Sequence, residues 1–308
     1  NPWLQTKHIS DWYFILNRTR KGSGGRAARR EARTTQQIEF SKQIERKIPN
    51  FEILNEEALE VIENSAEEVL SEIGVKFPDN EFALKLWKEA GADIKGDLVK
   101  IPKGLARKLC STAPATFTQH ARSKIKNVEI GGKNLVCAPV YGPPFIRDLE
   151  GGRRYAEIAD FEKLVKLAYM SKWVHHSGGT LCEPTDIPVN KRHLDMLFAH
   201  MTLSDKPYMG SVTAPERAED SVEMSEIIFG KKFVSENTVM TSLINLNSPL
   251  VLDATMVGAL EVYARANQAC IISPFIVGGA MAPVTVAGTL SQVLAEVLAG
   301  VAYSQLVR

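Results

Sequence analysis

The run from Ile271 to Arg308 limits the possible folds more than any other part of the chain. An apolar, β-branched stretch, Cys270–Val277, meets a small-residue turn at Gly278-Gly279-Ala280. Pro283 and a long Ala/Leu/Val pattern follow. This order spells a buried strand, a tight loop and a helix with a small-residue face. Earlier segments repeat it. Repeated strand–helix units argue for a parallel α/β array, which carries its chemistry at the carboxyl ends of its strands.

From Leu135 onward the pattern predicts strands at Leu135–Val140, Val174–Leu181, Tyr208–Val212, Thr238–Ile244 and Cys270–Val277. It predicts helices at Ile158–Tyr169, Val189–Leu203, Pro215–Phe229, Val251–Asn267 and Val286–Leu306. Five such units suit an α/β fold of the (β/α)8 TIM-barrel type, C-terminally truncated by three units. A doubly wound sheet is the alternative. No GxGxxG or GxxxxGK[ST] follows any strand, so the usual dinucleotide and P-loop signals are absent.

The segment before this array reads differently. Residues 35–132 predict an N-terminal helical and hairpin cap, with residues 133–308 as the partial barrel. Asn55 is placed to cap a helix that ends at Gly74, and a second helix, Asn80–Ala90, stops at Gly91. A short strand or hairpin is expected at Asp97–Ile101, a helix at Lys103–Thr112, and strands at Phe117–Gln119 and Val128–Ile130. Residues 1–34 form a basic arm containing KGSGGRAARREAR. Its composition fits a flexible tether, or contact with RNA, an acidic partner or a neighbouring subunit of a homo-oligomer. The chain opens on Asn1 rather than Met and stops at Arg308 directly after a helix pattern, as a fragment would.

With 308 residues and a net charge of +1, the chain can bury a large core and gives no global electrostatic case for nucleic acid or an anionic membrane. Its four cysteines form no CxxC pair, which fits a reducing cytoplasm better than a disulfide scaffold or zinc ribbon. No apolar run reaches roughly 18 residues without polar interruption, so no membrane span is expected. No secretory signal is visible.

The loops after the five strands would share one rim. They carry Tyr141-Gly142-Pro143-Pro144-Phe145, Glu183-Pro184-Thr185-Asp186, Thr213-Ala214-Pro215, Asn245-Leu246-Asn247-Ser248-Pro249 and Gly278-Gly279-Ala280. No Ser-His-Asp set and no metal-ligand spacing occurs among them, so no catalytic residue is assigned and no metal is expected. Aromatic, amide, hydroxyl and glycine groups with one or two carboxylates suit a small molecule in a fairly apolar pocket. Tyr141 and Phe145, with Tyr208 and Phe275 on neighbouring strands, can line a cage for a quaternary ammonium, an attraction of roughly 0.5–2 kcal/mol per ring. The same rings can equally pack the interior. Glu183 or Asp186 can add a counter-charge, or Asp186 can cap the next helix. His175 and His176 alternate along one strand, so one of them points inward, either as a hydrogen-bonded core residue or as a group that polarises substrate. Asn245, Asn247 and Ser248 can bind a carboxylate or amide, or serve the turn before Pro249. Gly278 and Gly279 leave room for a bulky cofactor or partner. Cys137 and Cys182 read as inert thiols.

With those residues in view, the chain resembles the trimethylamine methyltransferase family. The resemblance runs from about Gly24 to Arg308. It is carried by GGRAARREAR, NEEALEVIENSAEEVLSEIGV, YGPPFIRDLEGGRRYAEIADFEKLVKLA, EPTDIP, SPLVLDATMVGALEVYARANQ and GGAMAPVTVAGTLSQVLAEVLAGVAYSQLVR. It implies a TIM barrel that moves a methyl group from trimethylamine or a quaternary amine such as glycine betaine to Co(I) of a corrinoid. The corrinoid (cobalamin) sits on a separate protein that docks over the barrel mouth, which would make Gly278 and Gly279 corrinoid-facing. The trimethylamine enzymes of methanogens use pyrrolysine late in the barrel, at a position the resemblance puts beyond Arg308. Family catalytic residues are not transferred. The expected substrate-binding set, Tyr141, Phe145, His175, Glu183, Tyr208, Asn245 and Phe275, is a physical reading of the rim. The competing readings are a non-catalytic binding or scaffold protein derived from the barrel, an inactive fragment, and an unrelated barrel enzyme such as a lyase or metal-dependent hydrolase.

Overall fold

The computed structural model describes residues Phe40–Arg308, and the basic arm expected at residues 1–34 lies outside the described residues. The first described elements are short. β1 (Ile44–Glu45) precedes α1 (Glu56–Glu68), where the Asn55 side chain accepts the Ala58 N–H as the sequence predicts. A π-helical turn, Val69–Ile73, continues α1, and Gly74 at φ 86° ends it. A Cβ at Gly74 would lie 2.6 Å from the Val99 carbonyl oxygen, so only glycine fits there. β2 (Val75–Lys76), α2 (Glu81–Ala90), β3 (Asp93–Lys95) and β4 (Leu98–Lys100) follow. These strands form an antiparallel sheet in the order β2-β4-β3. After α3 (Leu105–Cys110), β5 (Thr116–Gln119) and β6 (Val128–Gly131) make an antiparallel pair, and β7 (Asn134–Leu135) pairs with β1.

The rhythm then lengthens. A hairpin of β8 (Phe145–Asp148) and β9 (Gly152–Tyr155) leads into α4 (Ile158–Met170) and α5 (Arg192–Leu203). β10 (Tyr208–Met209), α6 (Pro215–Phe229), α7 (Lys231–Glu236), β11 (Met240–Leu246), α8 (Ala254–Arg265), β12 (Ala269–Pro274) and α9 (Val286–Val307) complete the chain. β10, β11 and β12 form a parallel sheet in sequential order, with Thr241 opposite Ala269 and Leu246 opposite Pro274.

This is a mixed α/β architecture, and among the described residues no sheet closes into a barrel. Two of the five expected strands are irregular. Pro139 removes a ladder donor from the first, and Gly178-Gly179 breaks the second run. The two segments still extend the sheet in chain order, the first beside the second and the second beside β10. The Met209 N–H donates to the Gly178 carbonyl at 2.9 Å, Ser177 N–H to Pro207 at 2.7 Å, and His175 N–H to Cys137 at 2.8 Å.

One hydrophobic core runs from Ala66 to Tyr303 and joins α1 and α2 to the parallel sheet through α9. α9 is long and apolar enough to cross a bilayer by length and composition, although Ser291, Gln292 and Glu296 interrupt its apolar run. Here it packs against α1, α2, α3, α8 and β12 and buries Ser291, Gln292 and Glu296 in hydrogen bonds. The Glu296 carboxyl accepts from Ser248 Oγ at 2.6 Å, from the Leu250 N–H at 2.9 Å and from Gln292 Nε2 at 3.0 Å. Gln292 Nε2 also donates to the Met281 carbonyl at 2.8 Å. One stripe of α9 therefore fixes both the loop after β11 and the turn after β12.

The contact between α9 and β12 is tight at Gly300, where a Cβ would sit 2.7 Å from Ile272 Cγ2. Gly300→Val is expected to destabilise the protein by about 1–3 kcal/mol through overpacking. Urea unfolding of the two proteins checks this, with a lower midpoint and an unchanged slope as the expected result.

Candidate functional site

A cleft of about 210 Å³ opens at the carboxyl end of the parallel segments. Tyr141 and Gly142 form one side, with Thr180 and Glu183 from the irregular run beside them. Gly210–Thr213 follow β10, Asn245 comes from the end of β11, and Arg192, His193 and Arg217 come from the first turns of α5 and α6.

Glycines let these pieces approach. A Cβ at Gly142 would lie 1.9 Å from the Leu181 carbonyl oxygen, and one at Gly179 would lie 2.5 Å from the Tyr141 hydroxyl. A Cβ at Gly210 would lie 2.3 Å from the Tyr263 hydroxyl, which donates to the Ser211 carbonyl. Burial pushes the Tyr141 phenol up to about 12, so it stays neutral at physiological pH.

The polar lining is partly unsatisfied. Arg192 donates to the Ile187 carbonyl at 3.2 Å and places a guanidinium nitrogen 3.8 Å from Glu183, while its Nε is buried without a hydrogen-bond partner. His193 is 5% exposed; its Nε2 lies 2.7 Å from Asp220 Oδ2, and its Nδ1 is buried and unpartnered. Arg217 donates to Thr213 Oγ1 at 2.7 Å and makes no ion pair among the described residues.

Of the residues expected from sequence, the structure brings Tyr141, Glu183 and Asn245 to this cleft. It places the others elsewhere. Phe145 lies in the β8–β9 hairpin, its ring tilted 34° against Tyr155 at 4.8 Å with the Arg153 guanidinium 4.0 Å above it. Tyr208 is a core residue, 2% exposed and bonded to Ser225 Oγ at 2.8 Å. His175 is fully buried, its Nδ1 accepts the Cys137 N–H at 2.9 Å, and burial lowers its pKa. Phe275, just past β12, is 68% exposed and does not line the cleft. Gly278 and Gly279 lie in an exposed turn held by Gly279 N–H to Ala282 at 2.9 Å. Asp186 accepts the Ile158 N–H at 3.0 Å, so it serves the preceding helix α4 rather than the next. Ser248 donates to Glu296 on α9 and Asn247 to Asp253 at 3.1 Å, so both hold the loop in place. Burial pushes the Cys182 thiol up to about 11.

Sequence reasoning missed Arg192, His193 and Arg217, because it inspected loops and not the first turns of the helices after them. A signal existed. A cation in the first turn of a helix opposes the helix dipole, and such a local conflict is expected at functional sites. Among the described residues, no three His, Cys, Asp or Glu side chains gather to hold a metal ion.

The family model described as trimethylamine methyltransferase matches residues 22–308. A glycine betaine methyltransferase of Desulfitobacterium hafniense (strain Y51) is 44% identical over 259 residues, covering 84% of this chain and 54% of that protein. A proline betaine:corrinoid methyltransferase of Eubacterium limosum is 25% identical over 264 residues, 81% of this chain and 53% of the relative. A trimethylamine methyltransferase of Methanosarcina mazei is 25% identical over 263 residues, 80% and 52% respectively. The chain thus spans about half the length of the curated relatives it matches.

Below the cleft, His200 supports Gly179 and so the Tyr141 ring. Its Nε2 bonds to the Gly179 carbonyl at 2.8 Å and its Nδ1 lies 2.7 Å from Ser177 Oγ. Burial lowers the His200 pKa from 6.5 to about 4 and that of His176 from 6.5 to about 3. Between pH 6.5 and about 4 the unfolded chain therefore binds protons at His200 that the folded chain does not. Stability is expected to fall as pH drops through that window. Thermal unfolding across the range checks this, and His200→Asn should show a shallower fall than the wild type.

Proposed function

Because the chain belongs to the trimethylamine methyltransferase family, we propose that its protein transfers a methyl group from a methylated amine to a corrinoid carried by a separate protein. The observation that carries the reading is the cleft, where the neutral Tyr141 phenol and the Glu183 carboxylate line one small cavity at the carboxyl end of the sheet. An aromatic face attracts a quaternary ammonium by roughly 0.5–2 kcal/mol, and a nearby carboxylate adds to that attraction. Tyr141, packed against Gly179, and Asn245 would hold the amine in one orientation while the walls exclude water. A quaternary amine leaves as a neutral tertiary amine, so no acid need protonate it first.

The bound corrinoid would supply the nucleophile at its cobalt. The residues present fit its approach. The turn at Gly278-Gly279 is exposed and without side-chain bulk, and Val277, Val284 and Val286 beside it are 52%, 85% and 77% exposed. Such an apolar lip suits a flat macrocycle delivered by a partner protein.

The rest of the reading follows the family. Residues 133–308 form part of a TIM barrel, with the parallel sheet and the two irregular segments as one arc of its wall. The described part of the expected cap, residues 40–132, precedes it in the chain. The cytoplasm is the compartment that suits the four free thiols.

The test is methylation of a reduced corrinoid protein by the complete reading frame that contains this chain, with trimethylamine and several betaines as donors. Methyl transfer from at least one donor is expected, and Tyr141→Ala should raise KM about tenfold or more for that donor. A folded protein that methylates no corrinoid from any of these amines would overturn the reading in favour of a binding protein.

A further inference from the structure

The hairpin of β8 and β9 stands at the rim, and the amine site makes no use of it. Its base is tied to the cleft wall. The Ala156 N–H donates to the Pro144 carbonyl at 3.1 Å, and the Thr185 N–H, in the loop that carries Glu183, donates to the Ala156 carbonyl at 2.8 Å. Gly142, which lines the cleft, immediately precedes Pro143-Pro144 at the foot of β8. One face of the hairpin is anchored. Ile146 packs on a small core that includes Phe161 of α4 and Ala199 of α5. Arg154, paired with Ile146 across the strands, donates twice to the Asp160 carboxyl, at 2.5 and 2.8 Å. The Asp148 carboxyl accepts the Glu150 and Gly151 N–H groups and so shapes the tip.

Alternation along the strands sends Phe145, Arg147, Arg153 and Tyr155 to the opposite face. Arg147 lies directly across from Arg153, as Phe145 does from Tyr155. Like charges in register across a hairpin oppose folding. The nearby carboxylates of Asp148 and Asp160 are taken by Arg154, and neither Arg147 nor Arg153 has an ion pair among the described residues. Both arginines and Tyr155 are exposed, and Leu149 at the tip is fully exposed. An apolar tip, an aromatic pair and two unneutralised arginines on one preformed face have the composition of a protein-binding surface. We propose that this face docks the protein that carries the corrinoid, with an acidic patch of that protein meeting Arg147 and Arg153 around an apolar centre at Leu149 and Tyr155. Position selects this occupant. A macrocycle reaches Tyr141 and Glu183 only through the mouth of the cleft, so its carrier must cover the rim where the hairpin stands. Strand order puts the cleft between the hairpin, after the first segment of the array, and the apolar lip at Gly278-Gly279, after the last. One carrier can rest on both. The arginine pair also speeds the arrival of an acidic partner and fixes its orientation. The inference rests on the reading of this cleft as a methyltransferase site.

Surface plasmon resonance between the full-length protein and a corrinoid protein from the same genome tests it, with methylation of free cob(I)alamin as a second readout. Free cob(I)alamin has no protein surface and reports the cleft alone. Arg147→Glu combined with Arg153→Glu should slow association about tenfold or more at low salt. The deficit should close at about 1 M salt, where screening leaves a range of only about 3 Å. KM for the corrinoid protein should rise by the same factor, while methylation of free cob(I)alamin keeps the wild-type rate. Arg147→Gln removes the like-charge pair, so it should keep or raise the melting temperature and slow association less than the double reversal. No association of the wild type, or association indifferent to the double reversal, would overturn the proposal. An equal loss with free cob(I)alamin would overturn it too, by making the hairpin a support of the cleft. A lower melting temperature with corrinoid-protein binding intact would seat the hairpin on another part of the same chain, with the same consequence. Association that depends on the arginines, without methylation of either acceptor, would overturn the methyltransferase reading alone.

Discussion

The buried face of α9 is the constraint on which the rest of the molecule depends. A helix this apolar can lie in a core almost anywhere, yet Gln292 and Glu296, four residues apart on one face, fix its place. Their side chains satisfy Met281, Ser248 and Leu250, which belong to two different rim segments. Leu250 sits at φ 57°, where a non-glycine residue needs such an outside partner. Were the carboxyl lost, the Leu250 N–H would be left buried without its acceptor, a cost of about 1–3 kcal/mol.

A second polar tie fixes the other end of the helix. The Tyr303 hydroxyl donates to Glu261 on α8 at 2.6 Å, and Asn80, which also caps α2, donates to the same carboxyl at 2.8 Å. The N-terminal elements are thereby locked to the strand–helix array. On the far side of the sheet, the Lys206 ammonium does comparable work for α4. It donates to the Ala168, Ser171 and Val174 carbonyls at 2.8, 2.9 and 2.6 Å, with burial lowering its pKa to about 8. These ties hold the cleft walls before any ligand arrives, which is the condition for positioning an amine with little reorganisation.

Much of the fold was legible in the chain. Asn55, Gly74, Asn80 and Gly91 mark helix ends by capping chemistry alone, and they do so in the structure. The long helices follow from apolar spacing. The first two strands of the array were misjudged because apolar content outweighed the proline and glycine that break their ladders. The candidate site was only partly legible. Alternation says which face of a strand a side chain takes, not whether its neighbours fill that face. Tyr208 therefore reads like a pocket residue in the sequence, and in the structure it is core.

The sequence by itself determined the order of the long helices, several of their ends and the family, because capping, periodicity and motif spacing are local properties of the chain. Tertiary structure alone decided which rim residues share a cleft. Arg192, His193 and Arg217 are brought to Tyr141 only when two helix N-termini converge. Glu296 reaches Ser248 across 48 residues, and Asn80 reaches Glu261 across 181. Contacts of that range depend on how whole elements pack, a global property that local spacing does not encode.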